Sequence, residues 1–372
     1  MIRARSYTGW VVVPALSILL ALLVASILII ASGLIGEERK VDLLLPLVAY
    51  RSLLVGAFGS LKGLANTIVA ATPLMLTGLA VGVGLKAGLF NIGATGQVLM
   101  GGFAASLVGV MAAGAPAVVA IPVALLGGMI AGALAGFIPG FLKAFTGAHE
   151  VVTTIMLNAL IQFAVSGLVN DVYRAPGFSF ARTAPMGNAT LTGIGGTNLH
   201  LGVLFAIVCI PLSYWLLWRT TVGFEIRAVG ANPTAAFYAG MNPRRMMILT
   251  MSLCGAFAGM AGALEIQRLG YYPAVFGTTI GFDGITVALL GRANPIGIMF
   301  AALLLGAMRA GAPLMQIEAG VPVEIIDVIQ GVILIFLAAE VVVRQIFRLR
   351  AAGQGAGELQ TITRTYGEKV AG

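Results

Sequence analysis

Few side chains in this 372-residue chain are able to do chemistry, and they sit inside apolar surroundings. Asn91 and Gln97 interrupt the string LKAGLFNIGATGQ (85–97), and Asp283 stands near the start of FDGITVALLGRANP (282–295). Glu150, Thr153, Thr154 and Asn158 are spaced by three and four, which puts them on one stripe of a helix. Most of these groups are neutral donors and acceptors. Placed in apolar segments they are costly and face a bundle interior, where they hold either a neutral polar solute or a neighbouring helix. A sugar, a nucleoside or an amide suits them, whereas a proton-coupled carrier more often places several carboxylates midspan. With the aromatic Phe90 and Phe282 beside them, the candidate solute-pathway residues are Phe90, Asn91, Gln97, Thr153, Thr154, Asn158, Phe282 and Asp283.

Catalytic chemistry finds no constellation. His149 and His200 are far apart in the sequence and have no cysteine or carboxylate at metal-ligand spacing, so no metal site is expected. Cys209 and Cys254 lie inside apolar runs, which argues against a disulfide framework. A phosphate-binding loop needs Gly-Lys-Ser/Thr, and none of the lysines (40, 62, 86, 143, 369) follows a glycine. If ATP drives the protein, another chain binds it. Gly82-Val-Gly84 lacks the strand-turn-helix context of a dinucleotide fingerprint.

The elements that position these residues follow from composition. With 59% hydrophobic and 10% charged residues the chain reads as an all-α, polytopic membrane protein. The net charge of +8 then belongs to topology and lipid contact and not to nucleic acid. Apolar runs at 10–32, 65–83, 95–113, 116–138, 150–169, 199–218, 246–265, 279–291, 295–311 and 323–343 give about ten crossings. The even count puts both ends on one side, and most of the 22 basic residues fall on the cytoplasmic side if that side holds the termini. The expected domain is 1–350, with an external loop at 170–198 and a disordered cytoplasmic tail at 351–372. The segments 85–97 and 282–295 are candidate broken or re-entrant helices, one in each half of the chain, in keeping with an internal duplication. An ordinary turn is the alternative for each. Gly128, Gly132, Gly136 and Gly140 recur every four residues, as do Gly255 and Gly259, and predict close helix packing.

Between two apolar spans lies the polar stretch RTTVGFEIRAVGANPTAAFYAGMNPRR (219–245), which the orientation assigns to the cytoplasm. The strings GLKAGLFNIGATGQ (84–97), HEVVTTIMLN (149–158), GFEIRAVGANPTAAFYAGM (223–241) and FDGITVALLG (282–291) together resemble the permease subunits of ATP-binding-cassette importers for nucleosides and simple sugars, a group that includes ribose and branched-chain amino-acid permeases. The likeness runs from about 64 to 340 and is greatest to the longer permease of a nucleoside importer.

The resemblance implies a permease in the bacterial cytoplasmic membrane that works by alternating access. It implies partner ATPase subunits holding ATP and magnesium, a second permease subunit in a heterodimer, and an extracytoplasmic substrate-binding protein. This chain itself would bind no cofactor. It also implies a cytoplasmic docking motif, Glu-Ala-Ala followed by Gly, which Thr234-Ala235-Ala236 and Gly240 match in spacing, with threonine in place of glutamate. The expected coupling residues are Arg227, Asn232, Pro233, Thr234, Ala235, Ala236, Gly240 and Met241, with Arg227, Arg244 and Arg245 facing acids at the rim. An ion-coupled secondary transporter or channel is the competing reading, in which 219–245 is only a loop.

Overall fold

The computed structural model describes residues 2–35, 42–276 and 279–339. The expected tail at 351–372 lies outside them. Among the described residues the chain is helical: α1 Ile2–Ile35, α2 Leu45–Phe58, α3 Leu61–Lys86, α4 Ala94–Met111, α5 Ala117–Thr146, α6 Glu150–Gly167, α7 Gly202–Arg219, α8 Thr221–Ala231, α9 Pro233–Tyr238, α10 Pro243–Leu269, α11 Ile280–Leu290, α12 Pro295–Ala319 and α13 Ile325–Ala338. Eight helices are long and apolar enough to cross a membrane, and α2, α11 and most of α13 form three shorter apolar helices. Each of the ten expected spans coincides with a helix. The sequence reading missed α2, because Tyr50, Arg51 and Ser52 break its apolar run.

Local chemistry sets the helix ends. Three helices begin at Asn-Pro: Asn232, Asn242 and Asn294 accept from the amides of Ala235, Arg245 and Ile296, and the following proline takes the first helical position. An asparagine cap satisfies an orphan amide, while proline has no amide to orphan and a φ already suited to the helix. α5, α10 and α12 end on Gly147, Gly270 and Gly320, each with a positive φ that a side chain resists.

The chain divides into two compact units, one of Val48–Gly320 and one formed by the segments that precede and follow it in sequence. In the end unit, α1 packs on α13. In the larger unit, α10 is central and lies against α3, α4 and α5. The glycines of α5 and α10 work as expected. A methyl at Gly132 would collide with the carbonyl of Gly255, and one at Gly136 with that of Met251. Gly101 of α4 meets Gly259 in the same way, so three helices approach at backbone distance. α2 joins this unit through Gly56 against Gly311 and a Ser52 hydroxyl bonded to Glu318.

Two interruptions shape the interior. α3 ends at Lys86, the chain turns back through 87–93, and α4 starts with Ala94 and Thr95 completely or almost completely buried. Val98 lies against Gly262, so α4 begins alongside the middle of α10 and not at its end. From the other direction, α10 ends at Leu269, irregular chain follows at 270–276, and α11 begins at Ile280 with Gly281 against Thr95. Gly284 against Thr77 and Gly78 against Val287 then align α11 with the second half of α3. Within 282–295 the chain is regular helix to Leu290 and then breaks at 291–294, where Arg292 and Ala293 have φ of +52 and +50; a further irregular stretch, 270–276, precedes α11. The pairs α3–α4 and α10–α11 repeat one design in opposite directions, with α4 and α11 starting head to head.

Gly132→Val is expected to destabilise the protein by about 1–3 kcal/mol through overpacking. Thermal unfolding in detergent checks it, with Gly167→Ala, whose added methyl meets nothing within 4 Å, as the neutral control.

Candidate functional site

Two places gather the expected functional residues: the polar segment 219–245 and the interruption at 87–93. In the polar segment, Thr220 is extended; its hydroxyl accepts from the amide of Gly223 at 3.0 Å and donates to the carbonyl of Leu216 at 2.6 Å. Gly223 lies so close to Leu216 and Leu217 that a methyl would collide, and α8 therefore folds tightly back on the end of α7. Arg227 Nε donates to the Leu217 carbonyl at 2.9 Å, and its guanidinium lies 5.9 Å from the Trp218 ring. Arg227 is therefore anchored at the end of α7 while remaining partly exposed. Half-buried, it satisfies an orphan carbonyl at the end of α7. Arg244 and Arg245 are exposed, with Arg244 5.7 Å from the Phe145 ring.

α9 projects between two Asn-Pro caps. Asn232 and Pro233 start it, Gly240 at φ +85 ends it, and the Met241 amide closes on the Ala236 carbonyl at 3.0 Å. Ala236 is buried and ties α9 to its own protein, whereas Thr234, Ala235 and Gly240 face outward. Sequence reasoning passed over the largest features of this surface. Phe237 and Tyr238 are 64% and 85% exposed, with ring centroids 6.1 Å apart. The available signal was two adjacent aromatics in a capped helix of six residues, too short to bury them. Exposed aromatics held on a rigid support are the groups that dominate binding at interfaces.

The end of α8 leads directly to the interruption. Gly230 abuts the backbone of Lys86 and Ala87, and Gly88, at φ +70, faces the Gly230 carbonyl in return. Beyond this contact Asn91 and Gln97, both fully buried, exchange two hydrogen bonds of 2.9 and 3.2 Å. Asn91 Oδ1 also accepts from Gly93 N. Asn158, from α6, takes the Gly96 amide on Oδ1 at 2.7 Å and donates Nδ2 to the Ile92 carbonyl at 2.9 Å. Gly93 has no side chain to cap α4, so Asn158 caps it from another helix.

The remaining predicted pathway residues divide. Thr153 and Thr154 donate to carbonyls of their own helix, and Thr154 is buried. Glu150 forms a buried ion pair with Lys143 at 2.8 Å, joining the end of α5 to the start of α6. Asp283 accepts from Thr279 Oγ1 at 2.9 Å and pairs with Arg309, which neutralises it beside the positive end of α11. Phe90 is half-buried next to Asn91, and Phe282 is 51% exposed. The structure brings together Asn91, Gln97, Thr154 and Asn158 around one turn, where Gly93 touches Thr154. Thr153 and Phe282 stand apart from their hydrogen-bonded set.

At the other end of the bundle, Arg182 lies 3.3 Å from the Phe178 centroid and 4.3 Å from that of Tyr271. Tyr173 turns inward onto Phe103 at 5.7 Å. The loop 170–198 is bonded to its surroundings: Thr183 N donates to the Tyr272 carbonyl, Met186 N to that of Gly270, and Leu191 N to that of Gln267.

Asn158→Ala is expected to cost about 1–3 kcal/mol, since it leaves the Gly96 amide and Ile92 carbonyl unpaired. Detergent unfolding should show a drop that Gln162→Ala, an exposed position on the same helix, does not.

Comparison with known proteins bears on what such an arrangement serves. Residues 63–338 match the model of the family described as branched-chain amino acid transport system / permease component. The chain is 38% identical to the guanosine ABC transporter permease protein of Bacillus subtilis, over 89% of this chain and 94% of that relative. It is 34% identical to a nucleoside ABC transporter permease protein of Lactococcus lactis, over 98% and 99%. Identity to the glucose ABC transporter permease protein of Haloferax volcanii is 33%, over 90% and 89%. No solved structure matches.

Proposed function

The chain belongs to the family of branched-chain amino-acid transport system permease components, and on that premise we propose that it carries a nucleoside across the bacterial cytoplasmic membrane, powered by a separate ATPase. It is a transport component, the permease subunit of an ATP-binding-cassette importer, and a membrane protein. The nucleoside reading is carried by the near full-length similarity to two nucleoside permeases. A simple sugar is the second reading, favoured by the glucose permease at almost the same identity.

In the proposed mechanism, α9 is the handle. ATP and magnesium are held by the ATPase, whose groove receives Phe237 and Tyr238 together with Thr234 and Ala235. A rigid helix is needed there, since a flexible loop would absorb the movement. The two Asn-Pro caps and Gly240 supply that rigidity. Closure of the ATPase displaces α9 and α8, and the Gly230–Gly88 contact passes the movement to the turn at 87–93. From there the bonds among Asn91, Gln97 and Asn158 carry it to α4 and α6. The turn gates a pathway bordered by Phe90, Asn91, Gln97, Thr153, Thr154, Asn158, Phe282 and Asp283. An extracytoplasmic binding protein delivers the solute to the opposite face, and a second permease subunit completes the wall.

Reconstitution tests the reading. The purified complex of this chain with its ATPase, second permease and binding protein is expected to accumulate guanosine in proteoliposomes only with ATP. Uptake driven by an ion gradient, without ATP, would establish the secondary-transporter alternative instead. Phe237→Ala with Tyr238→Ala should remove most of the copurifying ATPase, because each exposed aromatic anchor contributes about 1–3 kcal/mol or more to such an interface. Gly230→Ala should leave the ATPase attached and hydrolysing while uptake per ATP falls about tenfold. Equal loss of both activities would mean that the contact is only structural.

A further inference from the structure

We propose that the meeting point of α4 and α11 is a binding subsite for the hydroxyl oxygens of a neutral polyhydroxylated solute, with Thr95 as its side-chain ligand. This rests on the reading of the chain as a nucleoside or sugar permease. Three observations support it independently of the residues already discussed.

The first is electrostatic. α4, of 18 residues, and α11, of 11, both begin inside the protein, and their N-terminal ends face each other across the contact of Thr95 with Gly281. The first amides of a helix have no partner within it and carry its partial positive charge. Two such ends in apposition repel, and atoms with lone pairs between them relieve that repulsion.

The second is the state of Thr95 itself. Its residue is 9% exposed, and Oγ1 is buried with no hydrogen-bond partner. The hydroxyls of Thr72, Thr77 and Thr154 donate to carbonyls of their own helix, and that of Thr67 to the Ala57 carbonyl; the Thr250 hydroxyl also lacks a partner, but it lies within α10 and not at a helix start. Thr95 stands second in α4, so no helical carbonyl lies one turn back for it to use. An unpaired buried hydroxyl costs about 1–3 kcal/mol, and it can both donate to and accept from a sugar hydroxyl.

The third is Gly281. A methyl there would collide with the amide nitrogen and hydroxyl of Thr95, so the absence of a side chain is what allows the two helix ends to close. A solute bound between them has to part them, and the chain leading to that side of the contact is irregular at 87–93 before α4 and at 270–276 before α11. Asp283, in the first turn of α11, is paired with Arg309 and adds no unbalanced charge beside the subsite, which suits a neutral polyol.

The test uses the whole transporter in proteoliposomes, with the binding protein saturated by each solute so that differences arise in the permease. Thr95→Val keeps the volume and removes the hydroxyl; it is expected to reduce maximal guanosine uptake about tenfold. Thr95→Ser, which restores the hydroxyl, should stay within about threefold of the natural protein. The rate advantage of guanosine over 2′,3′-dideoxyguanosine should shrink in Thr95→Val, a change that packing alone would not produce. Should Thr95→Val fail to assemble, Thr95→Ala gives the same comparison. Unchanged rates in Thr95→Val, equal impairment in Thr95→Ser, or faster uptake of guanosine 5′-monophosphate than of guanosine would each overturn the subsite. If the natural protein takes up neither guanosine nor glucose, the transport reading falls, and the subsite with it.

Discussion

Inside a membrane an interrupted helix has no water to satisfy the amides and carbonyls it releases, so other parts of the protein must do so. The turn at 87–93 depends on this constraint. Asn91 takes the Gly93 amide, Asn158 of α6 takes the Gly96 amide and the Ile92 carbonyl, and Gln97 of α4 holds the Asn91 side chain in place. Remove that satisfaction and α4 could not begin in the interior, nor could its first turn meet that of α11. The central architecture of the larger unit, with α4 and α11 starting head to head, follows from a few side-chain amides placed where the backbone most needs them.

Packing supplies the complementary property. Glycines along α5, α10 and α4 let three helices approach at backbone distance, which makes a stiff block out of contacts that are individually weak. Beside that block the interruptions are places where chain is not regular helix and can change direction at lower cost. The polar segment 219–245 touches one of these places: α8 presses Gly230 against the turn, while α9 is held outward between Asn-Pro caps. A surface element, a backbone contact and a buried hydrogen-bonded turn thus form one continuous series within the larger unit.

Much of this was legible beforehand. The ten spans are readable because a helix that crosses a bilayer needs a long apolar run, and no soluble fold produces so many. The Asn232-Pro233 and Asn242-Pro243 pairs mark helix starts by a mechanism that involves only neighbouring residues. The glycine period of α5 announces a packing face. Less legible was which way a side chain points. Arg227 reads in the sequence as a rim charge, and only the fold shows that its Nε also serves a carbonyl at the end of α7. Phe237 and Tyr238 passed unnoticed because aromatics are ordinarily buried, and only the shortness of α9 leaves them outside. α2 escaped because its 14 residues include Arg51, and a length rule tuned to full crossings discards such a segment.

The sequence by itself determined the environment, the class of fold, the helix boundaries that depend on caps and the family resemblance, since all of these reside in local composition and in short ordered strings. Tertiary structure alone decided what the polar residues do. Asn91, Gln97, Asn158 and Asp283 had been read as groups available to a solute, and most of their hydrogen-bonding capacity is committed to the protein itself. Thr95, which carries no distinguishing signal in the string ATGQ, is buried without a hydrogen-bond partner where two helix ends meet. The physical reason is that a hydrogen bond is a relation between two groups. Sequence shows the donors and acceptors, but only the fold shows which of them are already paired.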